Sequence, residues 1–107
     1  MKVWKRSCQL AVLIYEVMKT CRDYSLRDQM QRSAVSIASN IAEGSERTGK
    51  DFAEFVTVAR GSTAELKQII AYRIGMIENE QMQVITNECQ EISKMLQGLR
   101  KALQTEN

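Results

Sequence analysis

Apolar residues recur along this chain in steps of three and four, not in strict alternation, and that period is helical. The cleanest stretch lies toward the C-terminus, where Met82, Ile85, Cys89, Ile92, Leu96, Leu99 and Leu103 are separated by 3, 4, 3, 4, 3 and 4 residues. A seam with that 3.5-residue period is the geometry of left-handed bundle packing. Near the N-terminus Trp4, Cys8, Ala11, Tyr15 and Met18 form one stripe, with Leu10, Leu13, Ile14 and Val17 beside it. Met30, Ala34, Ile37 and Ile41 mark a second helix, and Phe52, Phe55, Val56, Ala59, Leu66, Ile70 and Ile74 the inward face of a third. The pattern predicts helices over about 3–21, 26–43, 49–74 and 80–103.

Start and stop signals support those bounds. Arg22-Asp23-Tyr24 is short and polar and suits a turn. Ser25 reads as an N-cap with Asp28 three residues on, and Thr48 with Asp51 repeats the arrangement. Gly44 is expected to close the second helix in the left-handed conformation, Gly75 to end the third, and Asn79 to cap the fourth. The chain has no proline, so nothing in it breaks a long helix. Short connections make consecutive helices antiparallel neighbours. The expectation is one all-α domain over residues 1–107, an antiparallel up-down four-helix bundle.

Composition narrows the chemistry. Apolar residues make up 44% of the chain and charged ones 26%, a globular balance. Residues 1–50 hold nine Lys and Arg against five Asp and Glu, and the remainder six against eight, so +4 and −2 make the net +2. The longest purely apolar run, Leu10 to Tyr15, is far short of the roughly 20 residues that span a bilayer. Glu16 and Lys19 break any signal-peptide pattern behind Lys2, Lys5 and Arg6, so a cytoplasmic protein without membrane attachment is expected. Cys8, Cys21 and Cys89 lack metal-binding spacing and stand at apolar positions, which points to buried structural thiols. With no histidine, Glu-x-x-His metal sites and His-based acid–base chemistry are excluded. No glycine-rich phosphate loop occurs, and Ser36 with a nearby Lys or Arg is not a nucleophile with its base. A non-enzyme needing neither metal nor cofactor is expected.

One segment does not follow from packing alone. RSAVSIASNIAEG, from Arg32 to Gly44, places Ser33, Ser36, Ser39 and Asn40 inside a helix, each at a cost of roughly 0.5 kcal/mol relative to alanine. Arg32, Ser36, Asn40 and Glu43 form a polar stripe, and the third helix answers with Arg60, Gly61, Ser62 and Glu65. A hairpin about residue 47 brings Ser33 and Ala34 to Gly61 and Ser62, Arg32 or Arg27 toward Glu65, and Ser36 near Arg60. Glu43 and Glu65 are candidates to approach across it. The stripe reads as a close helix crossing with an internally satisfied polar seam, in preference to a ligand-binding surface.

At these residues the chain resembles the four-helix bundle proteins called 23S rRNA-intervening sequence proteins. The resemblance rests on Val3-Trp4, Ile14-Tyr15, RSAVSIASNIAEG, KDFAEF from Lys50 to Phe55, ARGSTAEL from Ala59 to Leu66, and GMI from Gly75 to Ile77. It covers nearly the whole chain, the fourth helix adding only its pattern. It implies a four-helix protomer assembling as a ring-shaped homopentamer. Related accessory proteins of diversity-generating retroelements share that architecture and bind nucleic acid and a reverse transcriptase through a strongly basic surface. This chain departs from them in its modest +2 charge, and from the family in lacking Phe-Pro after the first helix. The resemblance carries no established biochemical role for most of the family.

Together these readings predict an oligomeric binding scaffold whose ring engages RNA or a nucleic-acid-processing protein. Lys2, Lys5, Arg6, Arg22, Arg27, Arg47 and Lys50 are the candidate phosphate contacts. The alternative is a protein–protein interaction module with no nucleic-acid role, using apolar side chains such as Tyr24, Tyr72 and Met76; Trp4 is expected in the core.

Overall fold

The computed structural model describes residues 1–72 and 79–105, Asn79 by its backbone alone. Its four helices are α1 (Lys2–Met18), α2 (Tyr24–Ser45), α3 (Gly49–Tyr72) and α4 (Asn79–Thr105), and no strand occurs among the described residues. α1 packs on α2 and α4, and α3 packs on the same two, so the helices enclose one core in an elongated bundle of 47 × 20 × 19 Å. Among the described residues no helix is long and apolar enough to cross a membrane.

The heptad seam of α4 faces inward as its spacing predicts: Ile85, Cys89, Ile92, Leu96 and Leu103 are buried, and Met82 and Leu99 pack half-buried against them. Met30, Ala34, Ile37 and Ile41 of α2 are fully buried, and α3 contributes Val56, Ala59, Leu66 and Ile70. Phe52 and Phe55 are half-buried at the edge of the core. The expected inward placement of Ile74, the helix end near Gly75, the surface role of Met76 and the cap at Asn79 lie outside the described residues.

α1 is rotated from the expected stripe. Val3, Ser7, Leu10, Ile14 and Met18 are buried, whereas Trp4 is 40% and Tyr15 48% exposed. The buried stripe contains a serine, which breaks its apolar pattern in the sequence. Ser7 is tolerated because its hydroxyl donates to the Val3 carbonyl at 2.8 Å, and Thr63 of α3 donates to Ala59 in the same way. Cys89 is fully buried, while Cys8 and Cys21 are only half-buried, and all three are free thiols.

Three helix ends also differ. α1 stops at Met18, three residues before Cys21, because the Lys19 and Cys21 amides bond back three residues and tighten the turn. The cap of α2 is Asp23, whose carboxylate accepts from the Leu26 amide at 3.0 Å, so Ser25 lies inside the first turn. Gly44 does not close α2, which runs on to Ser45; the left-handed glycine is Gly49, at φ 50°, where α3 begins. Gly44 instead sits where a Cβ would lie 2.7 Å from Phe55 Cβ and 2.9 Å from Phe52 Cδ1. At Thr48, the backbone carbonyl accepts from the Asp51 amide at 3.2 Å.

Candidate functional site

The close approach at Gly44 sets how α2 and α3 meet. Along the contact, Ser36 shares a 2.8 Å hydrogen bond with Ser62, and Ser33 donates to Glu65 at 2.9 Å. This register lies one helical turn further along α3 than a hairpin centred on residue 47 places it. Asn40 turns back on its own helix, donating to the Ser36 carbonyl at 2.8 Å and to its hydroxyl at 3.0 Å. The seam is thus internally bonded, with Ser33 buried, Ser36, Asn40 and Ser62 half-buried, and Glu65 exposed at the rim.

Other members of the expected stripe go elsewhere. Glu43 pairs with Arg47 at 2.7 Å, and ten residues of α2 separate it from Ser33, the partner of Glu65. At 1.5 Å per residue that is about 15 Å, so the two carboxylates do not form a pair. Neither Arg32 nor Arg27 reaches Glu65: Arg32 is exposed, and Arg27 lies beside Asp28 at 3.8 Å with its guanidinium 4.7 Å from the Tyr24 ring centre. Arg60 does not meet Ser36. Its Nε is buried and has no hydrogen-bond partner among the described residues.

The seven candidate phosphate contacts do not form one patch. Trp4 shares a groove with Ile41, Ala42, Ser45 and Glu46, so the start of α1 lies beside the end of α2. Lys2, Lys5, Arg47 and Lys50 therefore belong to one end of the bundle, while Arg22 and Arg27 belong to the other. Sixteen residues of helical rise put Lys2 and Met18 about 24 Å apart, and Arg22 lies beyond Met18. Arg6 is taken up between helices: its guanidinium grips Glu88 of α4 with contacts of 2.6 and 3.3 Å and reaches Met95 Sδ at 3.8 Å. Donation to Glu88 raises the Arg6 pKa above its ordinary value, against a smaller opposing effect of burial. Arg47 holds Glu43 and lies 5.3 Å from the Phe55 ring centre. Lys2, Lys5, Arg22 and Lys50 are exposed and make no ion pair among the described residues.

Another polar region is not among those the sequence singles out. Between α3 and α4 a groove of about 420 Å³ is lined by Lys50, Ala53, Glu54, Thr57, Arg100, Leu103 and Gln104. Arg100, like Arg60, has a buried Nε without a partner among the described residues. In the sequence Arg100 is one more basic residue beside an apolar seam, and nothing in its spacing separates it from a solvated side chain. Among the described residues no group of three or more metal-binding side chains comes together.

Comparison with known proteins places this geometry. A family model described as 23S rRNA-intervening sequence protein matches residues 1–98. A solved structure of a protein of unknown function, from the S23 ribosomal protein family of Bacteroides thetaiotaomicron, is similar. It is 26% identical, with a TM-score of 0.85, over 92% of this chain and 98% of that one. No curated protein gives a match.

Proposed function

The chain belongs to the 23S rRNA-intervening sequence protein family, and we propose that it is a non-enzymatic, oligomeric binding scaffold that presents RNA-binding surface in the cytoplasm. The protomer in this reading is an antiparallel up-down bundle, and the assembly a ring-shaped homopentamer, as the resemblance implies. The observation that carries the scaffold reading is apolar surface left outside a completed core. Trp4, Val12, Tyr15 and Val35 are 40%, 65%, 48% and 41% exposed on α1 and α2 although the interior is already filled. Exposed aromatic and branched side chains of this kind mark association surfaces. A ring needs such a face on each protomer and a different one to receive it.

RNA is the partner class that best suits the exposed lysines at one end of the bundle. Lys2, Lys5 and Lys50 are exposed there, and repetition around a ring multiplies a field that one protomer supplies weakly. A protein–protein module without a nucleic-acid role is the alternative reading, favoured by the division of the candidate cations between two ends and the engagement of Arg6, Arg27 and Arg47. Light scattering combined with RNA anisotropy at several salt concentrations separates the two. The RNA reading expects a multimeric mass and binding that weakens steeply as salt rises. An intact oligomer that ignores RNA at low salt overturns it in favour of the protein–protein module.

A further inference from the structure

We infer that the groove between α3 and α4 is a binding site for a phosphate-type oxyanion, held by Arg100 and Lys50 with Arg60 behind them. Arg100 and Lys50 both line it, and Lys50 enters from the first turn of α3, where the helix dipole adds positive character. Arg60 belongs to the same flank: Ala53 and Thr57 line the groove, and Arg60 follows Thr57 by three residues, about 4.5 Å of helical rise. Lys67, one heptad further on, exerts its charge on Cys89 of α4, as expected of a flank that faces α4.

Donors without acceptors lie in the groove wall, at Arg100, and behind it, at Arg60. The Nε atoms of Arg60 and Arg100 are both buried without an acceptor among the described residues, a costly arrangement for charged donors. The one acid lining the groove is Glu54, which makes no ion pair among the described residues. An oxyanion entering beside Arg100 would meet guanidinium N–H groups and an ammonium, donors that recognise phosphate, while the Thr57 hydroxyl stays bonded to the Ala53 carbonyl at 3.0 Å. In the bonded α2/α3 seam the serines and Asn40 spend their donors on Glu65, on one another or on their own helix. The inference rests on the RNA reading above for the source of the anion, a backbone phosphodiester.

The test uses the full chain with inorganic phosphate as the probe, read as the shift in thermal midpoint at constant ionic strength. Wild type and Lys94→Gln, an exposed charge-loss control, are expected to gain stability with phosphate, because a ligand bound only to the folded state raises the midpoint. Arg100→Gln is expected to lose that gain, with affinity lowered roughly tenfold or more, and Glu54→Gln to strengthen it. Equal gains in Arg100→Gln and wild type, or none in wild type, overturn the inference. RNA anisotropy on the same proteins distinguishes the sources. RNA that binds wild type and Arg100→Gln equally well overturns the groove as its site and leaves the RNA reading standing. Phosphate binding that depends on Arg100 without any RNA binding supports the oxyanion site, filled by free phosphate, and overturns RNA as the partner.

Discussion

The two seams that flank α3 solve the problem of buried polarity in opposite ways. On the α2 side, Ser33, Ser36, Asn40, Ser62 and Glu65 bond to each other or to their own helix. On the α4 side, two arginines point buried Nε–H groups at no protein acceptor among the described residues. The α2 seam is conspicuous in the sequence, a run of serines and an asparagine in a helix, yet it is an internal structural bond network. The α4 seam is ordinary in the sequence and holds the buried donors left unmatched among the described residues. Polarity in a motif is therefore a poor guide to a site; unmatched polarity in the fold is a better one.

The largest effect belongs to the α2/α3 contact. Gly44→Ala puts a Cβ against Phe55 Cβ, which cannot move without its backbone, and should cost about 1–3 kcal/mol in urea unfolding. Gly61→Ala on the same helix pair has open space around it and should instead stabilise by about 0.5–1 kcal/mol. Equal effects at the two glycines would show that the helices are not in the close register described.

The next prediction concerns the α3/α4 side. Burial pushes the Cys89 thiol up to about 12, against the smaller lowering by Lys67. The unfolded thiol ionises near pH 8.5 while the folded one stays neutral, so this contribution is complete below that pH. It is lost as pH rises toward the folded value, by about 1.4 kcal/mol per unit. Urea midpoints of wild type should fall more steeply than those of Cys89→Ala between pH 8.5 and 10. Parallel slopes would place the thiol in contact with solvent.

Smaller still is Ser33→Ala, which removes one bond to a carboxylate exposed at the rim. It should cost about 1 kcal/mol, since Glu65 recovers water when its partner goes. Asn40→Leu belongs in the same range, as the bonds it loses lie within one half-buried helix turn. A loss well above that at either position would mean that the seam is covered by another surface in the assembly.

Much of the helical layout is legible in the sequence because the burial period of a helix is a local property. The stripe Met30, Ala34, Ile37 and Ile41 and the heptads of α4 need no knowledge of their neighbours to be assigned inward. The face of α1 is not legible, since Ser7 interrupts the true stripe and the aromatic rings of Trp4 and Tyr15 suggest a false one. Whether a serine can be buried depends on its bond to Val3, and composition does not report that bond. Gly44 misleads for a related reason: a glycine near a helix end fits a left-handed cap, but also a close crossing, and only the phenylalanines of α3 decide between them.

The sequence by itself determined four helices, their approximate lengths and most of the core, because these follow from spacing within one segment. The tertiary structure decided the register of α2 on α3, the pairing of Arg6 with Glu88 rather than with a phosphate, and the stranding of Arg60 and Arg100 without acceptors among the described residues. Each of those depends on which residue of another helix arrives opposite. A shift of one turn, about 5.4 Å, exchanges every such partner while leaving the helical pattern of each segment unchanged.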